Sequence, residues 1–248
     1  GSEMCIRDRY MSMILLFMTD GRKEYFGKCF VSAMTSIPET VLRNSLIVVN
    51  DDSADIEYSV FLHGLLESIN IGYGYDYVVT PPVLKKSGFG GAVENAWSFI
   101  RELAGPEKYD FVFHLEEDFV FNRPVPVHHM EFILDEYPYV QQVALRRQPW
   151  NEIEAAAGGI VESNPDDYMD KFFGEIDWLE HRRFFTTNPC LYRRSLCDRG
   201  WPVVEFSEGI FSHMLFDEDP LNCSAFLGSR DSGEWVTHIG YERTGHGY

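Results

Sequence analysis

The chain has 248 residues, and its 39 acidic residues against 21 basic ones give a formal net charge of −18. This length allows one domain with a full hydrophobic core, and a composition that is 45% hydrophobic excludes a disordered chain. The acidic balance argues against binding to a nucleic-acid backbone and against a polybasic membrane anchor, because both need a basic surface.

Two features of the sequence bear on its location. Five scattered cysteines without Cys-any-any-Cys spacing fit a reducing compartment better than a disulfide framework or a zinc site, so a cytoplasmic location is expected. Residues 1–10 are expected to be a tag or unstructured leader, and residues 11–248 to form a single domain. The apolar segment 11–18 is too short to cross a bilayer, so no membrane span is predicted.

The first two thirds of the chain alternates short apolar runs with helical patterns. Strands with continuous apolar character are predicted over 13–18, 45–49, 75–79 and 109–115. Helices are predicted between them over 23–36, 56–70 and 92–103. Buried strands that alternate with helices indicate a parallel sheet covered by helices on both faces, which is an α/β fold.

The pattern loosens after residue 148. A long irregular or partly helical insertion is predicted over 150–177, and loops of this length are often functional. The remaining elements are predicted as a strand over 186–192, a helix from Arg194, a helix over 208–216 and a strand over 235–239.

Acidic residues follow several predicted strands, foremost Glu116, Glu117 and Asp118 after the fourth. Ligands of such sheets bind at the carboxyl ends of the strands. Three consecutive acids repel one another and need a compensating cation, which a Mg²⁺ or Mn²⁺ ion shared with substrate phosphates would supply. The alternative is a solvated acidic loop, the usual fate of an acidic cluster.

The last dozen residues contain two histidines, an arginine and three glycines. A neutral His238 suits Mn²⁺ as a ligand, and Arg243 offers a planar fork for phosphate oxygens. The alternatives are a histidine with an ordinary hydrogen bond and a disordered polar tail.

These landmarks, in this order, resemble nucleotide-sugar-dependent glycosyltransferases of the GT-A fold, most nearly small inverting prokaryotic and phage members. The resemblance extends from Met13 to Tyr248 and rests on residues 19–22, 50–53, 90–96, 115–118, 207–208 and 236–240. It implies a Rossmann-like three-layer sandwich with a mostly parallel central sheet. It also implies a nucleotide-sugar-binding half over 11–125 and an acceptor-binding half over 126–248.

The resemblance implies a metal cofactor, Mn²⁺ or Mg²⁺, for this chain. Asp118 matches the last acid of the family's Asp-any-Asp motif, which binds the metal, and His238 matches a downstream histidine that completes the coordination. Glu116 matches the first acid, which faces the ribose or a metal-bound water.

The resemblance also implies which residues bind a nucleotide-sugar donor. The nucleoside is held by Thr19, Asp20 and Arg22, and the base is recognised by Asp51 or Asp52. A carboxylate accepts the imide N–H of uracil, which favours a UDP-sugar.

The residues that contact the diphosphate are expected to differ from those of related enzymes. The helix that Gly91 opens often carries an arginine in related enzymes, whereas Val93 or Glu94 stands there in this chain. The contact is therefore expected from Lys85 or Lys86, or from the tail with Arg243 and His246.

Transfer to an acceptor hydroxyl needs a general base. Glu208 matches the family's acidic pair before a helix, although an acid in a first helical turn is also favoured by the helix dipole alone. Asp177 and Glu205 are rival bases. Trp150 and Trp178 would either stack on an acceptor sugar or belong to the core.

The function expected from the resemblance is transfer of a sugar from a nucleotide diphosphate sugar to an unknown acceptor, a glycan or a protein, with inversion. One alternative is a nucleotidyltransferase, for which residues 19–22 match the phosphate loop only in part. The other is a non-catalytic module that binds a nucleotide or a carbohydrate.

Overall fold

The computed structural model describes residues 12–103, 108–149, 152–156 and 158–240. The strands are β1 (Met13–Thr19), β2 (Leu46–Asp51), β3 (Asp76–Val79), β4 (Phe111–Glu116), β5 (Phe119–Phe121), β6 (Val140–Ala144), β7 (Met169–Phe173), β8 (Ile176–His181), β9 (Cys190–Arg193), β10 (Cys223–Leu227) and β11 (Val236–His238). The helices are α1 (Lys23–Ser36), α2 (Glu39–Arg43), α3 (Ile56–Tyr73), α4 (Gly88–Glu102), α5 (Val127–Glu136), α6 (Glu152–Ala156) and α7 (Ser207–Glu218).

Nine of these strands form one mixed sheet in the order β3-β2-β1-β4-β9-β6-β10-β8-β7. The first four run parallel to one another. Strands β9 and β8 run antiparallel to their neighbours, so seven of the nine strands point in one direction. Strands β5 and β11 pair separately as a two-stranded ribbon.

Helices cover both faces of the sheet, as the continuous apolar strands predict. Alternate residues of a strand point to opposite faces. On β1, Leu15 and Phe17 pack with α1, α3 and α5, whereas Ile14 and Leu16 pack with α4 and α7. The two cores give the three layers of the predicted α/β sandwich.

The predicted elements are best matched in the N-terminal half. Helix α1 has the predicted bounds, and β1, β2, β3 and β4 each overlap a predicted strand. The insertion predicted as irregular or partly helical over 150–177 contains the short helix α6, and it also contains β7 and the start of β8, which were not predicted. Strand β7 lies at the edge of the sheet, where most of its side chains face solvent, so it lacks the apolar pattern of a buried strand.

The described cysteines, Cys29, Cys190, Cys197 and Cys223, are buried and form no disulfide with one another. Within the described ranges, no helix combines the length and the apolar character needed to cross a membrane.

Candidate functional site

The polar ends of three parallel strands lie side by side. Thr19 on β1 is in register with Asp51 on β2, and Met18 on β1 is in register with Glu116 on β4. The predicted gathering of acids at one edge of the sheet is therefore confirmed.

Arg22, just before α1, is turned onto these acids. Its Nε lies 2.7 Å from Oε1 of Glu117 and 3.0 Å from Oδ1 of Asp20, and its Nη2 lies 3.0 Å from Oδ2 of Asp118. Burial lowers the pKa of Arg22, but the charges of Glu117, Asp118 and Asp20 outweigh it and raise that pKa above its ordinary value. The guanidinium of Arg22 therefore supplies part of the positive charge that these acids require, and the metal ion stays a prediction.

Glu117 is the least exposed of the three acids, and the resemblance to glycosyltransferases implies no role for it. Its side chain is 2% exposed and accepts hydrogen bonds from Arg22, from the backbone N–H of Asp20 and from the hydroxyl of Thr19. Burial and neighbouring Asp20 raise its pKa to about 8. The period-two pattern could have found it, because Glu117 continues the face of β4 that buries Phe113 and Leu115.

The ribbon of β5 and β11 brings His238 to Asp118. Nε2 of His238 lies 3.4 Å from Oδ2 of Asp118, and the N–H of Ile239 donates to the Asp118 carbonyl at 2.8 Å. Gln148 holds His238 in place through two hydrogen bonds to its backbone, at 2.7 and 2.9 Å. A Cβ on Gly240 would lie 2.3 Å from Oδ2 of Asp118, so only glycine allows this approach.

Asp118 and His238 offer a partial set of metal ligands. Among the described residues, no three His, Cys, Asp or Glu side chains group as a metal site. Oδ1 of Asp118, however, is buried and accepts no hydrogen bond from any described residue. Mg²⁺ and similar ions take one or two carboxylates and fill their shell with water and substrate phosphates. One carboxylate and one imidazole therefore fit an ion that is bound together with a nucleotide diphosphate.

Glu208, at the start of α7, lies on the opposite side of β4 from Arg22. Its Oε1 accepts hydrogen bonds from the N–H and the hydroxyl of Thr187, at 2.7 and 2.9 Å. Burial raises the pKa of Glu208 above its ordinary value, against the lowering effect of these hydrogen bonds and of Arg147. Burial also raises the pKa of Glu116, and the negative charges of Asp118 and Glu208 raise it further.

A cavity of about 330 Å³ opens beside Glu208 and is called the Arg146 cavity here. Its volume lies in the range of roughly 300–1,000 Å³ that is usual for ligand pockets. Its wall includes Arg146, Arg147, Glu162, Phe185, Thr186 and Glu208.

The rival bases do not share this setting. Asp177 and Glu205 are both exposed, and neither lines the cavity. Trp178 is 1% exposed within the core, so of the two roles expected for it the core position is confirmed. Trp150 lies outside the described residues.

The residues predicted to hold the donor surround the same edge. Asp51 accepts a hydrogen bond from the N–H of Ser53 at 2.9 Å, and Asp52 accepts one from the hydroxyl of Ser87 at 2.7 Å. Lys86 donates to the carbonyl of Asp20 at 2.7 Å. A Cβ on Gly91 would lie 2.6 Å from Cβ of Ser87, so packing alone accounts for that glycine. Arg243 and His246 lie outside the described residues, and their contacts with a donor stay predictions.

At the level of sequence, no protein-family profile and no curated protein matches the chain. Several solved structures share its fold. The mannosyltransferase PcManGT from Pyrobaculum calidifontis, in complex with GDP-Man and Mn²⁺, has a TM-score of 0.61 and 11% identity, covering 93% of this chain and 57% of its own. TarS 1-349 from S. aureus has a TM-score of 0.56 and 13% identity, covering 92% of this chain and 60% of its own.

GalNAc-T7, with UDP, GalNAc and Mn²⁺, has a TM-score of 0.57 and 9% identity, with 92% of this chain and 44% of its own covered. The chain thus spans only about half the length of these structures. At sequence identities this low, the comparisons show a similarity of fold and nothing more. In fold, this chain is similar to the GT-A glycosyltransferases over about 92% of its length.

Proposed function

We propose that the protein is a metal-dependent glycosyltransferase that moves a sugar from a nucleotide diphosphate sugar, preferably a UDP-sugar, to an acceptor hydroxyl. The observation that carries the proposal is the meeting of Asp118, Glu116 and Glu208 at the carboxyl edge of a GT-A-like sheet, where Asp118 and Glu208 are both close enough to Glu116 for their charges to raise its pKa, after the larger effect of burial. Sugar transfer needs both a group that binds the diphosphate and a base, and these acids supply them side by side.

The donor half of the site would hold the nucleotide. Asp51 or Asp52 would accept the imide N–H of uracil, and hydrogen bonds from Ser53 and Ser87 already fix the orientation of these carboxylates. Asp118 and His238 would hold a Mn²⁺ or Mg²⁺ ion, which when bound neutralises charge on the diphosphate leaving group.

The acceptor half would hold the base. The acceptor hydroxyl loses its proton to Glu208 as its oxygen attacks the anomeric carbon. Attack from the face opposite the diphosphate inverts the configuration of the sugar. A raised pKa makes the ionised form of Glu208 a stronger base than an ordinary carboxylate.

A thermal-shift panel of UDP, GDP, TDP and CDP, each with and without Mn²⁺, tests the proposal. We expect the largest rise in Tm with UDP and Mn²⁺ together. If no nucleotide stabilises the protein, the enzyme assignment fails. Pyrophosphate release from UTP, instead of UDP release from UDP-sugars, would indicate a nucleotidyltransferase, and nucleotide binding without any turnover would indicate a binding module.

A further inference from the structure

Arg146 carries a buried positive charge whose hydrogen-bonding capacity is only partly used. Its side chain is 6% exposed, and its Nη2 donates to the carbonyls of Arg230 and Gly233 at 3.0 and 3.2 Å. Its Nη1 is buried and has no hydrogen-bond partner among the described residues. A buried charged group without such a partner is costly. The wall of the Arg146 cavity therefore holds a donor that no atom of the described part of the chain satisfies.

The acid nearest to this donor is loosely held. Oε1 of Glu162 lies 3.8 Å from Nη1 of Arg146, which is an ion pair but too long for a hydrogen bond, and the Glu162 side chain is 65% exposed. Because Glu162 is largely exposed and makes no hydrogen bond to Arg146, a ligand anion can take the place of this carboxylate without leaving the Arg146 charge uncompensated. A ligand anion would gain the hydrogen bond that Glu162 does not make.

The surroundings of Arg146 add positive charge. Arg123 is close enough that the charge of Arg146 lowers its pKa, after the larger effect of burial. Arg147 lines the same cavity and is close enough to Glu208 to lower the pKa of that carboxyl. The acids facing this group are Glu162 and Glu234, which are both exposed, and Glu208.

We propose that the Arg146 cavity binds the acceptor through an anionic group, a phosphate ester or a carboxylate, which replaces Glu162 beside Nη1 of Arg146. Calling the occupant an acceptor rests on the proposed function, because Glu208 lines the same cavity and is the proposed base. The acceptor would thus be a hydroxyl compound with a negative charge, held against the aromatic wall that includes Phe185. An overall charge of −18 makes such a local positive site the main way to hold an anion.

The test uses three small probes of similar size without any nucleotide: glycerol 3-phosphate, glycerate and glycerol. Calorimetric titration of the full chain should show binding of at least one anion and no binding of glycerol at the same concentrations. Binding of the phosphate alone or of the carboxylate alone supports the proposal and identifies the anionic group. Equal behaviour of all three probes overturns it.

Variants locate the bound anion. Arg146→Met should weaken binding about tenfold or more, as expected for loss of a charged hydrogen bond. Asp118→Asn should leave it unchanged, because the anion does not bind at the donor half. Anion binding that is lost in Asp118→Asn and kept in Arg146→Met overturns the proposal.

A second variant decides the matter even where Arg146→Met fails to fold. Glu162→Gln removes the competing carboxylate from an exposed position and should tighten anion binding severalfold. Glu175→Gln makes the same change of charge at an exposed residue outside the cavity and should have no effect. Unchanged affinity in Glu162→Gln overturns the proposal. If no anion binds, the result of the nucleotide panel still stands. If no nucleotide binds, the anion titration still shows whether the Arg146 cavity binds an anion.

Discussion

The acids on the two sides of β4 have different side-chain partners. On one side, Glu117 and Asp118 share Arg22 in ion pairs of 2.7 and 3.0 Å. On the other side, Glu208 is held by neutral donors of Thr187, and both it and Glu116 have raised pKa values. Burial alone would raise the pKa of Asp118, but His238 and Arg22 bring it below its ordinary value, whereas burial raises the pKa of Glu117 to about 8. Among these four acids, the pKa is therefore lowered at Asp118 alone. In the proposed function, the same strand end separates the side that would bind the metal ion and the donor from the side that would carry the base.

Glu208→Gln tests the side that would carry the base and should have the largest effect. Loss of a general base costs about 10²–10⁴-fold in rate, so we expect transfer to fall by that factor while the affinity for UDP with Mn²⁺ is kept. In the wild type, transfer should fall as the pH drops through a pKa above the ordinary glutamate value of 4.5, because the base must be ionised. Steady-state rates and the pH profile measure both effects.

The matched controls are Asp177→Asn and Glu205→Gln, which neutralise the exposed rival acids. Both should retain wild-type transfer. If either of them loses transfer while Glu208→Gln keeps it, the base is on another residue.

Arg22→Met tests the charge-paired side. It leaves Glu117 and Asp118 without their cation, and breaking a buried pair in this way costs roughly 3 kcal/mol. It also removes one of the interactions that lower the pKa of Asp118. Denaturant unfolding at pH 7 should show this loss of stability. Arg22→Lys should recover part of it, since one ammonium cannot serve both acids as the guanidinium fork does; equal stability of all three proteins would contradict the pairing.

Gly240→Ala tests the contact between the β11 segment and Asp118. The added Cβ would meet Oδ2 of Asp118 at 2.3 Å, so the chain must shift, at a cost of about 1–3 kcal/mol. We expect a lower Tm and weaker binding of UDP with Mn²⁺. Gly27→Ala, in the middle of α1 with open space around it, is the control and should be neutral or stabilising.

Glu131, remote from the site, shows the smallest expected effect. Burial, with the charges of Asp135 and Asp110, raises its pKa to about 7. Below about pH 4.5 the carboxyl of Glu131 is protonated in both the folded and the unfolded state and costs no stability. As the pH rises through 7, the buried carboxyl must ionise, and the free energy of unfolding falls. Glu131→Gln should raise the stability at pH 8 by about 1 kcal/mol, after allowance for solvent screening, and leave it unchanged at pH 4. Glu136→Gln on the same helix, an exposed residue, should show no such difference.

The fold could be predicted where each strand is buried on both faces. The apolar runs of β1, β2 and β4 are continuous because helices cover both sides, and this pattern is visible in the sequence. Strand β7 is largely exposed, and β5 has only three residues, so neither has a pattern long or apolar enough to read. Their pairing depends on neighbours that are distant in the chain.

The site could be predicted at strand ends and not beyond them. Asp118 and His238 were expected to lie together, and they do so at 3.4 Å. The role of Arg22 as an internal cation was missed, because the sequence does not show which way a side chain turns after a strand. The buried state of Arg146 was missed for a similar reason, since it depends on contacts with the carbonyls of Arg230 and Gly233.

The central claim is that Asp118 holds a metal ion together with a nucleotide diphosphate. Calorimetry of UDP binding, with and without Mn²⁺, in the wild type and in Asp118→Asn tests it most directly. The account predicts that Mn²⁺ tightens UDP binding at least tenfold in the wild type and has no effect in Asp118→Asn. The same gain from Mn²⁺ in both proteins would contradict it.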